Sequence, residues 1–100
     1  MNLHTMKRVT IICESILEDR VLELLQETGA RGHTAFPVRG GGHQGERYAD
    51  ITETANVQID VILKPAIAET LLQRLQSELF AAYAMVAYES DVRVLRPNKF

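Results

Sequence analysis

Arg39-Gly40-Gly41-Gly42 is where the chain concentrates residues suited to holding an anion. Glycines let backbone N–H groups approach a phosphate or carbonate closely and cradle it in a nest. Arg39 and Arg47 flank the run, and a guanidinium grips such an oxyanion with two parallel hydrogen bonds. The same composition also suits a plain flexible loop base, with the arginines solvated beside Glu46, Asp50 and Glu53. The spacing is not that of a P-loop. It also lacks the strand, turn and helix setting of a dinucleotide-binding fingerprint.

Other reactive residue types are scattered. His33 and His43 lie ten positions apart and His4 sits near the start, without the close pairing of a zinc site, so no metal ligands are assigned. Cys13 falls in an apolar strand phase and reads as a small buried hydrophobe rather than a nucleophile. No Ser/His/Asp constellation is present, and no catalytic residue is assigned. Glu14 and Glu89 are placed at the C-terminal ends of the first and fourth strands, where open sheets expose ligand clefts. Tyr83 and Tyr88 flank an apolar strand and read as core or subunit interface. A slow nucleotide phosphohydrolase would need Glu46 or Asp50 to hold a metal, and no recognisable constellation surrounds them.

These residues need a scaffold, and 100 residues with 46% hydrophobic and 24% charged content suffice for one globular domain. The net charge of −2 argues against a protein that coats nucleic acid. One cysteine excludes an internal disulfide framework. The longest apolar run, residues 79–88, is about half what a membrane helix needs. No secretion signal opens the chain, and a cytoplasmic domain is expected.

Hydrophobic period supplies the elements. Residues 1–5 are patternless and expected to fray, leaving residues 6–100 as the domain. Val9, Ile11 and Cys13 alternate as a buried strand. Ser15 and Glu18 have the spacing of a capping box ahead of Leu17, Val21, Leu24 and Leu25, which share a helical face ended by Gly29. Residues 31–38 predict a second strand, placed at an edge by Pro37. Residues 39–54 read as a long polar loop. Val57, Ile59, Val61 and Leu63 alternate as a third strand, and Pro65 opens a second helix with Ile67, Leu71, Leu75 and Leu79 on one face. Residues 84–88 predict a fourth strand and residues 92–95 a short fifth. The order β-α-β-loop-β-α-β predicts a ferredoxin-like α+β open-faced sandwich. Its uncovered sheet face would expose Ile12 and Ile62 and favour self-association.

The pattern resembles the P-II signal-transduction superfamily. The likeness rests on Lys7-Arg8-Val9-Thr10-Ile11-Ile12, on Gly29-Ala30-Arg31-Gly32-His33-Thr34, and on Val38-Arg39-Gly40-Gly41-Gly42 at the base of what would be the T-loop. The glycine-rich B-loop of many superfamily members is replaced here by Phe80-Ala81-Ala82-Tyr83. The segment 9–17 and Phe80-x-x-Tyr83-Ala84 are similar to the PII-like SbtB/CPII branch. That resemblance implies a homotrimer with adenine nucleotides, ADP or AMP and also ATP or cyclic AMP, bound between subunits. It implies a response to bicarbonate and control of a bicarbonate transporter or of carboxysome-linked metabolism, with recruitment to a membrane transporter. Carried over by position, Gly32 and Thr34 would line the nucleotide cleft, and Arg39, Gly40, Gly41, Gly42 and Arg47 would meet the phosphates. Glu14, Tyr88, Glu89, Ser90 and Arg93 complete the nucleotide set, and Arg39, Gly41 and Arg47 the bicarbonate set. The alternatives are the phosphohydrolase above and a CutA- or ACT-like trimer binding a small molecule or metal.

Overall fold

The computed structural model describes residues 1–41 and 55–100. Strand β1 (His4–Glu14) leads through a short 3-10 turn into helix α1 (Glu18–Thr28). Strands β2 (Thr34–Val38) and β3 (Asn56–Leu63) follow, then helix α2 (Pro65–Glu78), strand β4 (Val86–Val94) and a closing 3-10 turn at Pro97–Lys99. The four strands form one antiparallel sheet in the order β2-β3-β1-β4. This is the ferredoxin-like α+β sandwich that the alternation of periods predicts.

The core lies between one sheet face and the helices. Val9, Ile11 and Cys13 of β1 sit opposite Val61, Ile59 and Val57 of β3. They are sealed by Val21, Leu24 and Leu25 of α1 and by Ala68, Leu71 and Leu75 of α2. Pro65 stands in the first turn of α2, where its missing N–H costs nothing. Gly29 ends α1 at φ 103°, and Ala30 N–H bonds back to Leu25 O at 3.0 Å, so the left-handed turn closes the helix. Outside, the ion pairs Arg20–Glu78 and Arg74–Glu27, both at 2.8 Å, join the helices, and Arg74 also pairs with Glu78 along α2 at 2.7 Å. Arg74 holds the Glu78 carboxyl below its ordinary range.

Four expectations change. First, β1 begins at His4, because β4 runs on far enough for Val94 and Arg93 to pair with His4 and Thr5. Part of the stretch expected to fray is therefore in the sheet. Second, the expected fifth strand is the far half of β4, held by the same ladder to β1. Third, Ser15 and Glu18 form no capping box. Ser15 begins the 3-10 turn, its backbone N–H donates to Ala55 O at 2.9 Å, and neither helical start has a side-chain cap. Fourth, β2 starts at Thr34 rather than 31, and the Arg31 guanidinium instead donates to Asn98 O at 2.9 Å. Pro37 is on an edge strand, as its missing donor requires.

Candidate functional site

Register decides which predicted residues share a neighbourhood. At one end of the sheet Val38 and Glu14 both pair with Asn56, so three strand ends meet where the polar segment leaves and returns. Arg39, Gly40 and Gly41 leave from this point, all exposed. A Cβ placed on Gly40 or Gly41 would meet no heavy atom within 4 Å, and neither has a left-handed φ. Nothing in the fold requires glycine there. Glu14 lies half-buried at the end of β1, as expected, with Ser15 bonded back to Ala55 beside it. Gly42, Arg47, Glu46, Asp50 and His43 lie outside the described residues.

Gly32 and Thr34 stand at the opposite end of β2. The five residues of β2, Thr34 to Val38, run between Gly32 and Arg39, roughly 16 Å of chain. Within one chain, Gly32 and Gly40 cannot grip the same phosphate. A ligand touching both lies along β2, or the two contacts come from different copies. Residues 34–37 of β2 are exposed, so this edge is open to either arrangement.

Strand alternation divides the remaining candidates. Tyr88 and Ser90 face the side of the sheet without helices, opposite Thr10 and Arg8. Glu89 faces the helix side, where the Lys7 ammonium lies 3.3 Å from it and 2.6 Å from Asp91. These carboxylates hold the Lys7 pKa above its ordinary value, Asp91 contributing most. The expected place of Glu89 at a strand end is thereby corrected: it sits in mid-strand, because β4 continues to Val94. Arg93 is exposed at the far end of β4, opposite Thr5. Tyr83 is exposed in the approach to β4.

One polar group escaped the sequence reading. On the helix-free face the Thr10 hydroxyl donates to Asp60 Oδ1 at 2.8 Å, and the Gln58 amide reaches the same carboxylate at 3.2 Å. Thr10 is only 1% exposed, the one buried polar side chain in the described core. The signal was present in the polar residues at every second position of β1 and β3, but only their register brings them together. Cys13 is buried, and burial pushes its thiol up to about 11, with Glu18 and Glu14 adding to the shift. This is an unreactive thiol near neutrality. Among the described residues no three His, Cys, Asp or Glu side chains converge as metal ligands, and no helix is long and apolar enough to cross a membrane.

Comparison with known proteins adds a family. The nitrogen regulatory protein P-II family matches residues 6–99. A PII-like signalling protein of Thermus thermophilus is 42% identical, with a TM-score of 0.85 over 100% of this chain and 99% of that one. CPII from Thiomonas intermedia, bound to ADP, AMP and acetate, is 26% identical with a TM-score of 0.86, covering 100% of this chain and 98% of that one. The same protein bound to ADP and bicarbonate is 27% identical with a TM-score of 0.85, covering 99% and 97%.

Proposed function

We propose that this chain, which belongs to the nitrogen regulatory protein P-II family, is a PII-like regulator that binds ADP or AMP in clefts between its copies and responds to bicarbonate. P-II family proteins form trimers, bind adenine nucleotides and generally act as signalling proteins rather than enzymes. The observation that carries the reading is the loop base itself. Arg39, Gly40 and Gly41 are exposed and sterically free, on a fold shared at full length with a protein that holds ADP, AMP and bicarbonate.

In this reading the phosphates sit against the backbone of Gly40 and Gly41, with Arg39 as a bidentate partner. Gly32 and Thr34 approach the nucleotide from a neighbouring copy, which accounts for their distance from the loop base. Glu14, Tyr88, Ser90 and Arg93 border the cleft at the sheet ends and the helix-free face. ADP and AMP differ by one phosphate, so in this reading they are held with different strength at the loop base and signal differently. Bicarbonate, a small planar anion, shares the same donors. The regulated partner in this reading is a bicarbonate transporter or another protein of inorganic-carbon metabolism, reached from the cytoplasm.

The test is removal of residues 40–53. The shortened chain is expected to fold and assemble but to lose tight nucleotide binding and its bicarbonate dependence. Unchanged ADP affinity in the shortened chain would move the ligand elsewhere and favour the CutA- or ACT-like alternative.

A further inference from the structure

The closing segment of the chain is strung across one end of the sheet. Strands β4 and β2 are its opposite edges, three strand spacings or roughly 14 Å apart. The chain leaves β4 at Val94 and enters the turn Pro97–Lys99. That turn is held from just ahead of β2, where the Arg31 guanidinium donates to Asn98 O at 2.9 Å, 67 residues away in the chain. Among the described residues this is the one side-chain hydrogen bond or ion pair that reaches residues 95–100. Inside the segment the Lys99 N–H donates to Arg96 O at 3.1 Å, so Arg96 and Lys99 both lie within one turn of the carbonyl that Arg31 holds. All three cations are exposed, and no described carboxylate lies within ion-pair distance of any of them. Beside Arg31 stands Gly32, where an added Cβ would meet no heavy atom within 4 Å, so its backbone is open to a ligand.

Lys7, Arg20 and Arg74 each pair with carboxylates, whereas these three cations are gathered with no anion among them. The bond to Asn98 O brings the charges together without neutralising any, because its acceptor is an uncharged carbonyl. Like charges so placed repel one another and attract an anion. We infer that Arg31 is a positioning residue: it pins the closing turn so that Arg96 and Lys99 meet the phosphates of the nucleotide that Gly32 and Thr34 line. The inference rests on the proposed function and adds the segment that closes over its ligand. Without the pin, the segment would have to be ordered anew at each binding event, at a cost in conformational entropy. A phosphate set among the three cations relieves their repulsion, so ligand and pin stabilise each other, and the effect is reciprocal. ADP, with one phosphate more than AMP, holds the turn more firmly.

The experiment combines calorimetric ADP titration with hydrogen exchange of the peptide covering residues 95–100, on the full chain, with circular dichroism to confirm folding. ADP should slow exchange of that peptide in the native chain. R31Q should speed it without ligand and weaken ADP binding about tenfold, the scale of a charge-assisted hydrogen bond. R31K, which still donates one bond, should lose less. R96Q/K99Q should weaken ADP binding at least as much as R31Q. R31Q/R96Q/K99Q should then be little weaker than R96Q/K99Q, because Arg31 acts through the two cations it positions. Native ADP affinity in R31Q or in R96Q/K99Q, losses that multiply in the triple variant, or exchange that ADP leaves unchanged overturns the pin while the nucleotide reading stands. A native chain that binds no ADP overturns both.

Discussion

Two glycines in this chain make opposite demands, and alanine in their place separates fold from function. Gly29 adopts φ 103°, while the nearest atom to an added Cβ, Ile67 Cδ1, is 3.9 Å away. Gly29→Ala therefore meets no clash and loses only what an L-residue loses in the left-handed region, about 1–2 kcal/mol. In a chain of this size each kcal/mol lowers the melting temperature by roughly 4–8 °C. Gly41 is different: open space surrounds it and its φ is not left-handed. Gly41→Ala should leave stability unchanged or raise it by about 0.4–1 kcal/mol, because alanine restricts the unfolded chain. In the proposed site its methyl group would stand where the phosphate approaches the backbone. A loss of about tenfold in ADP affinity, near 1.4 kcal/mol, is expected. Calorimetric melting at fixed protein concentration, which holds assembly constant, and ADP titration of the same samples give both numbers. Gly41→Ala that melts normally and binds ADP like the native chain would refute the close-approach reasoning. A melting loss matching Gly29→Ala would show that Gly41 serves the fold.

Further predictions follow from single residues. Arg39→Ala should weaken ADP binding by roughly 10- to 100-fold, the range of a charge-assisted hydrogen bond, and leave the urea midpoint unchanged; urea unfolding beside titration checks both. Cys13 holds its proton more tightly in the fold than in the unfolded chain, so its contribution is intact below the ordinary thiol pKa of 9.0 and is lost as pH rises toward about 11. Denaturation midpoints should fall over that interval in the native chain, and this step should be missing in Cys13→Ala. Leu71, fully buried between α2 and the sheet, should cost about 2–5 kcal/mol when cut to alanine; a smaller change in the denaturant midpoint would mean the core collapses around the gap.

The sheet and both helices were legible because burial on one face writes period two or 3.6 into the sequence. Val9, Ile11 and Cys13 alternate, Leu71 and Leu75 recur one turn apart, and Gly29 and Pro65 mark helix ends with backbone chemistry no other residue matches as well. The capping box misled because Ser15 and Glu18 have the right types and spacing, while the Ser15 N–H is bound by Ala55, forty residues on. Local pattern carries no information about that partner. The far half of β4 was read as a separate strand because Glu89, Ser90 and Asp91 interrupt its apolar pattern. In the fold, Glu89 and Asp91 are held by Lys7 across the ladder. The candidate site was legible as types, arginine beside glycines, but not as a place. The bounds of β2 put Gly32 and Gly40 at its opposite ends, the extension of β4 turns Glu89 away from Tyr88, and only register brings Thr10, Gln58 and Asp60 together.

The central claim is that this chain binds adenine nucleotides and bicarbonate in coupled fashion. Isothermal titration with ADP and with AMP, each in bicarbonate-free and bicarbonate-containing buffer, tests it directly. The account predicts saturable, stoichiometric binding whose affinity changes with bicarbonate. By reciprocity the same factor should appear in bicarbonate affinity when nucleotide is present. Binding that ignores bicarbonate would contradict the coupling, and no binding of either nucleotide would contradict the site.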